Sequence, residues 1–163
     1  VKEDGKLALG YTCYHVPEVL LNLDNCVSVR LRAPRTGSVD IATYYLSPFL
    51  CGFAKALLER GIEGGYGFLS ALSAGETCSE MNRTIEHFEL LRLVDNDKFF
   101  VSIFDMPFKT NDHCLESYVN QMRLKVLDKL KDVLLRERNQ NQKITYFIIS
   151  LIQNVRKTKP MDL

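Results

Sequence analysis

A strand-to-helix junction lies at Phe68-Leu69-Ser70-Ala71-Leu72-Ser73-Ala74-Gly75-Glu76-Thr77-Cys78-Ser79-Glu80. Residues 68–73 are small or apolar, and such a short run indicates a buried strand. Thr77 and Glu80 fit a capping box, in which a Thr hydroxyl and a Glu carboxylate accept hydrogen bonds from backbone N–H groups at a helix start. Because a buried strand that leads directly into a helix is the repeating unit of α/β proteins, this junction predicts an α/β fold.

The same alternation extends in both directions along the chain. Three more strands are expected from their apolar and β-branched residues, at 6–11, 26–31 and 99–104. One helix is expected to begin at Pro17 and to run to residue 23, and a second is expected after Ser47-Pro48 with Gly61 as its C-cap. Residues 39–45 are either a strand or an extended approach to the second helix.

The C-terminal third has a different pattern. From Asp112, apolar residues recur every three or four positions to residue 134, which predicts one long amphipathic helix with a charged outer face. Residues 139–142 interrupt this pattern, and a last helix is expected at 143–155. We therefore predict a Rossmann-like open parallel sheet with flanking helices plus a long C-terminal amphipathic helix, divided into an α/β domain (1–110) and a helical extension (111–163).

Composition excludes several classes of function. The 163 residues suit one domain, and 21 Lys and Arg against 20 Asp and Glu give a net charge of +1. This balance predicts neither a nucleic-acid partner nor an anionic membrane partner. No secretory signal is visible at the start, and the apolar stretch 144–152 is far shorter than the ~20 residues that cross a bilayer. The five cysteines are an odd, sparse set, which favours reduced thiols in a cytoplasmic protein.

Three of the cysteines are expected at one edge of the sheet. Cys13, Cys51 and Cys78 each lie where a strand or its loop gives way to a helix, and in an open α/β sheet these junctions line the edge where ligands bind. A thiol in the first turn of a helix is favoured as thiolate, the form that binds metal. The set indicates a metal or iron–sulfur site, and the alternative is that the cysteines are small core hydrophobes.

The two other cysteines are placed differently. Cys26 starts a strand, belongs at the opposite edge and is interpreted as a core thiol. Cys114 follows Asp112-His113 near another helix start, but after a longer loop, so its position alone does not exclude it.

Five stretches in order resemble the 2-hydroxyacyl-CoA dehydratase and benzoyl-CoA reductase family. They are GYTCYHVPE (10–18), VRL (29–31), YLSPFLCGFA (45–54), TCSEM (77–81) and FDMPFK (104–109). The resemblance implies a [4Fe-4S] cluster, a CoA thioester substrate, a homologous second subunit and an ATP-dependent activator protein that injects an electron. It also implies longer subunits with two α/β domains, so that this chain is similar to the first, cluster-side domain and 111–163 leads toward the second.

The resemblance also assigns residues and reactions. Cys51 and Cys78 match the cluster cysteines, and Cys13 matches a position that is either a ligand or a neighbour of the cluster. The implied reaction is radical elimination of water from a 2-hydroxyacyl-CoA thioester. The alternatives are a benzoyl-CoA reductase-type or double-cubane reductase subunit, or a non-catalytic partner or electron-transfer subunit. Tyr14 replaces a small polar residue and Ser79 an Asp of many relatives, which indicates an unusual substrate, a partner subunit or a lost activity.

Two further residues are candidates for catalysis. His15, two residues after Cys13, is either a proton donor near the site or a hydrogen-bonded loop histidine. Glu18 either orients substrate or favours the start of the helix at Pro17.

Overall fold

The computed structural model describes residues 5–13, 15–23, 25–33, 36–49 and 51–137. Four strands form one parallel sheet in the order β2-β1-β3-β4. In chain order they are β1 (Leu7–Tyr11), β2 (Cys26–Arg30), β3 (Ala71–Glu76) and β4 (Phe100–Asp105). The helices are α1 (Ala42–Tyr45), α2 (Gly52–Ile62), α3 (Ser79–Leu90), α4 (Asp112–Gln121), a π-helical stretch (Met122–Leu127) and α5 (Asp128–Glu137). The predicted α/β fold with an open parallel sheet is confirmed.

The sheet separates two apolar layers. On one face, Ala8 and Leu72 of the strands pack with Leu57 of α2 and with Ile85 and Phe88 of α3. On the other face, the core is built from residues of β1, of the segment after it and of the long C-terminal helix: Leu7, Leu9, Leu21, Leu23, Met122, Val126, Leu130 and Val133. No helix within the described ranges is both long and apolar enough to span a membrane.

The long amphipathic helix is confirmed across α4, the π-helical stretch and α5. The helix buries Met122, Val126, Leu130 and Val133 against the sheet and leaves Leu115 and Leu124 exposed. Two polar contacts attach it to β4. The buried Ser102 hydroxyl donates to the Lys125 carbonyl at 2.6 Å, and the Lys129 ammonium donates to the Val101 carbonyl at 3.1 Å. Lys125 lies inside the π-helical stretch, where the carbonyl pattern of a regular helix is interrupted. The helix expected at 143–155 lies outside the described residues, and the domain boundary at 110 stays a prediction.

The helix predicted from Pro17 to residue 23 is wrong in its length. A single 3-10 turn, Glu18–Leu20, is present instead. Leu21 and Leu23 are buried in the core, so the chain must turn down toward the sheet directly after this turn. The Asn22 side chain also accepts a hydrogen bond from the Ser28 N–H at 2.9 Å, which stabilises the return into β2.

The predicted start of the second helix is also wrong. α2 begins at Gly52 with Cys51 as N-cap, and Ser47 only accepts a 3.4 Å bond from the Phe49 N–H. Within residues 39–45, for which a strand or an extended approach is expected, Ala42–Tyr45 form the short helix α1. The Lys55 ammonium donates to the Pro48 carbonyl at 2.8 Å, so residues before Cys51 fold back onto α2 rather than extending it.

Two other local signals were misread. α2 continues past Gly61 to Ile62 and has Glu63 as C-cap, so Gly61 is a packing position and not a cap. β3 begins at Ala71 rather than at residue 68, because residues 66–69 form a turn in which the Leu69 N–H donates to the Tyr66 carbonyl. The N-cap of α3 is Cys78 without a side-chain cap bond, so the predicted Thr77 capping box is absent at this helix start.

Candidate functional site

The strand order creates a crevice between β1 and β3. β1 connects to β2 through the turn Glu18–Leu20 on one face, whereas α3 carries the chain from β3 to β4 on the other face. The connections that follow β1 and β3 therefore leave in opposite directions. Such a switch in strand order opens a crevice at the carboxyl ends of the two strands, and ligands of open α/β sheets bind there.

The three predicted cysteines lie along this edge. Cys13 follows β1, and Cys51 and Cys78 are the N-caps of α2 and α3. The two helices pack side by side, with the Thr84 hydroxyl of α3 3.5 Å from the Ala54 carbonyl of α2. Cys51 and Cys78 directly precede the first turns of their helices instead of lying within them. That the three thiols share one site stays a prediction.

Cys51 and Cys78 occupy the same position, the N-cap of a helix, but differ in backbone conformation, with φ of −48° at Cys51 and −152° at Cys78. The carbonyl of each accepts the first helical hydrogen bond at 3.1 Å, from the N–H of Lys55 and of Asn82 respectively. Neither thiol takes the usual role of an N-cap side chain, and both residues are exposed. Because the first N–H groups of a helix lack intrahelical partners, each thiol lies beside unpaired donors. The two sulfur atoms are therefore accessible at positively polarised helix ends.

Thr12 is a feature of this edge that sequence reasoning missed. Thr12 directly precedes Cys13 and is 5 % exposed, yet its hydroxyl has no hydrogen-bond partner within the described part of the chain. Buried hydroxyls are normally satisfied by protein or water. An orphaned hydroxyl beside the half-buried Cys13 fits a site that is completed by a further group. The available signal was a polar residue directly after a buried strand.

The thiols do not form a complete metal site by themselves. Within the described ranges, no group of three or more His, Cys, Asp or Glu side chains is arranged to hold a metal ion. Cys13 belongs to the sheet layer, whereas Cys51 belongs to the helical layer above it. Cysteine thiolates are the ligands that iron–sulfur clusters use, so the residue types fit such a cluster. A cubane cluster needs four ligands, and the described side chains are not grouped to supply them.

His15 lies in the loop that carries Cys13. It is exposed, and its backbone carbonyl accepts a hydrogen bond from the Tyr118 hydroxyl at 3.1 Å. Tyr118 belongs to α4, and its ring packs edge-on against Phe104 with centroids 6.1 Å apart. This contact attaches the loop after β1 to the long C-terminal helix.

Glu18 is engaged in hydrogen bonds with neighbouring strands. Its carboxylate accepts from the Ser28 hydroxyl at 2.7 Å, and this bond, together with one from Tyr11, holds the pKa of Glu18 below its usual value. Burial, followed by the bond to Glu18, raises the pKa of Tyr11. These contacts connect the turn Glu18–Leu20 to β1 and β2.

A carboxyl pair at the same edge was not predicted. Glu76 and Asp105 end β3 and β4 and are register partners across the two strands. A hydrogen bond to Asp105 raises the pKa of Glu76, and the Gln121 amide donates to Asp105 Oδ2 at 2.7 Å. Only the strand register brings these residues together, so sequence spacing gave no signal.

The remaining candidates lie elsewhere. Cys26 is buried at the start of β2, at the opposite edge, as expected of a core thiol. Cys114 is half-buried in α4, and its N–H donates to the Asn111 side chain at 2.8 Å.

A comparison with protein families agrees with this arrangement. The family model described as 2-hydroxyglutaryl-CoA dehydratase, D-component, matches residues 13–145, a range that includes all three edge cysteines and most of the 163 residues. No curated protein matches the chain significantly. The resemblance of the five sequence stretches to the 2-hydroxyacyl-CoA dehydratases is thereby confirmed, and the chain belongs to the 2-hydroxyglutaryl-CoA dehydratase D-component family.

Proposed function

We propose that this chain is a subunit, or part of a subunit, of a 2-hydroxyacyl-CoA dehydratase. The reaction removes water from a 2-hydroxyacyl-CoA thioester and gives the 2-enoyl thioester. The observation that carries the proposal is the family match over residues 13–145, a range that contains Cys13, Cys51 and Cys78.

We further propose a [4Fe-4S] cluster at this edge. Cys51 and Cys78 would be ligands, because both are exposed at helix N-caps and neither makes a cap bond. Cys13 would be a third ligand or a direct neighbour, and the unpartnered Thr12 hydroxyl beside it would donate a hydrogen bond to the bound group. When bound, a cluster of this type supplies single electrons at low potential. The remaining ligation would come from outside the described residues.

The partners follow from the same proposal. A homologous second subunit would complete the site, and an ATP-dependent activator protein would deliver the electron. The thioester carries CoA, and the protein would work in the cytoplasm. A D-component is by its description one component of a dehydratase, which supports the need for a partner subunit.

For proton transfer at this edge we propose His15, which lies two residues after Cys13 in an exposed loop. Glu18 is the second candidate. Its bonds to Ser28 and Tyr11 support a role in holding the turn rather than in touching substrate.

Anaerobic turnover tests the proposal. The chain is reconstituted with iron and sulfide, combined with its partner component, activator, ATP and a reductant, and given 2-hydroxyglutaryl-CoA as probe. Formation of the 2-enoyl thioester, detected by mass spectrometry, is expected with the wild-type chain and with Cys26→Ala, but not with Cys78→Ser. No product from a cluster-loaded wild-type complex contradicts the dehydratase assignment. Ring reduction of benzoyl-CoA would instead identify a benzoyl-CoA reductase-type subunit. Twice the iron per chain would identify a double-cubane reductase, and a cluster without any turnover would identify an electron-transfer subunit.

A further inference from the structure

A buried carboxylate in α2 has no part in the proposed chemistry. Glu59 is 3 % exposed, and its Oε2 atom accepts a hydrogen bond from the Ala42 N–H at 2.7 Å. Burial of a carboxylate is unfavourable unless hydrogen bonds compensate for the lost water. The bond from the Ala42 N–H therefore helps to compensate for the burial of the Glu59 carboxylate.

Glu59 completes the start of α1. The first N–H groups of a helix have no intrahelical partners, and the N-cap of α1 is Ile41, whose side chain has no acceptor. Glu59 supplies the acceptor from a position 17 residues further along the chain. Beside this bond, the buried Ala42 and Leu46 pack against Leu58 of α2.

Residues 42–49, here called the strap, run back along α2 toward its first residue. A second bond from α2, between the Lys55 ammonium and the Pro48 carbonyl at 2.8 Å, holds the far end of the strap. The Tyr45 ring lies edge-on to the His87 ring of α3, with centroids 5.7 Å apart. The strap thus lies against α2 and α3 and ends two residues before the N-cap Cys51.

Two of the large side chains of the strap are exposed to solvent and do not pack against α2. Tyr44 is 88 % exposed and Phe49 is 96 % exposed, so these large side chains contribute little packing. The bonds to Glu59 and Lys55 therefore act together with the packing of the buried Ala42 and Leu46 in holding the strap.

We propose that Glu59 is a positioning residue: its carboxylate fixes on α2 the strap, which ends two residues before the N-cap Cys51. The structural effect does not depend on the proposed function. Its consequence for cluster ligation rests on that function, through the role proposed for Cys51.

Limited proteolysis of the full chain tests the effect on the strap. Chymotrypsin cleaves after aromatic residues where the backbone opens locally, so cleavage at Tyr44 and Phe49 reports on how often the strap detaches from α2. In Glu59→Ala the buried Ala42 N–H loses its acceptor, and we expect strap cleavage to accelerate about 5- to 100-fold. Glu59→Gln keeps an acceptor oxygen and is expected to stay within about twofold of wild type. Glu63→Ala removes an exposed carboxylate of the same helix region, one that pairs with Arg60, and is the matched control with no expected change.

Three results overturn the inference. The first is strap cleavage in Glu59→Ala at the same rate as in wild type, and the second is cleavage of Glu59→Gln as fast as that of Glu59→Ala. The third is rapid hydrogen exchange of the Ala42 amide in the wild-type chain. The last measurement needs no variant and holds even where Glu59→Ala does not fold. Iron retained after reconstitution is measured in parallel and is expected to fall in Glu59→Ala only. If the wild-type chain also retains no iron, the proposed function fails while the result on the strap still stands.

Discussion

Removing the hydroxyl of Tyr118 is expected to loosen the loop that carries Cys13. The hydroxyl donates to the His15 carbonyl at 3.1 Å and joins this loop to α4. Tyr118→Phe retains the ring against Phe104, so the change is confined to one hydrogen bond. Within the loop, the Val16 N–H still donates to the Cys13 carbonyl at 3.1 Å, so the loop opens more often without losing its shape.

The size of the effect follows from the energy of one exposed hydrogen bond. Such a bond contributes about 0.5–1.5 kcal/mol net, which corresponds to an increase of about 2- to 12-fold in the local opening equilibrium. Burial raises the pKa of Tyr118, so the hydroxyl remains a donor under the mildly alkaline conditions used for thiol labelling.

The assay is the rate of Cys13 alkylation, followed by mass spectrometry of the labelled peptides. Cys13 is half-buried and is labelled faster when the loop opens, whereas the exposed Cys51 serves as reference in the same molecule. Tyr44→Phe, which removes an exposed hydroxyl, is the control variant. An unchanged Cys13 rate, or an equal increase at Cys51, refutes the reasoning.

Two other predictions concern the fold around the site. A Cβ added at Gly61 would lie 2.9 Å from the Leu93 side chain and 3.1 Å from the buried Phe88 ring. In Gly61→Ala, overpacking is expected to cost about 1–3 kcal/mol, which outweighs the gain of about 1 kcal/mol from the higher helix propensity of Ala. Urea unfolding should show lower stability for Gly61→Ala but not for Gly52→Ala, which meets nothing within 4 Å, and a stabilised Gly61→Ala contradicts this. Ser28→Ala should raise the pKa of Glu18 toward its usual value in an NMR titration. Because folding lowers the pKa of Glu18, its bond stabilises the wild-type fold at pH values above the usual Glu pKa, and this contribution disappears as the pH falls through the lowered pKa. Ser28→Ala should therefore be less stable than wild type only above that range. An unchanged pKa of Glu18 in Ser28→Ala contradicts the prediction.

The sheet was predictable because each strand is a short buried run with its own signal. The helix starts were less predictable, because their signals are local while the actual starts depend on tertiary contacts. Ser47-Pro48 has the composition of a helix start, but the bonds from Lys55 and Glu59 fold this segment back along α2. Glu59 and Ala42 are too far apart in sequence for any capping rule to relate them.

The edge of the candidate site was predictable for a similar reason. In a parallel sheet all strand-to-helix junctions share one side, so Cys13, Cys51 and Cys78 followed from the order of elements. The grouping of the sulfur atoms did not follow, since residues in the sheet layer and in the helical layer can share an edge without contact. The Glu76–Asp105 pair could not be predicted because it requires the register of β3 and β4. The unpartnered Thr12 hydroxyl could not be predicted because it requires knowledge of the neighbouring side chains and backbone.

The iron and acid-labile sulfide content of the chain after anaerobic reconstitution tests the central claim most directly. The account predicts that wild type and Cys26→Ala retain both elements with the visible absorption of a cluster, and that the double variant Cys51→Ser/Cys78→Ser retains neither. A wild-type chain without sulfide, or a double variant that binds as much iron and sulfide as wild type, contradicts the assignment of this edge as the cluster site.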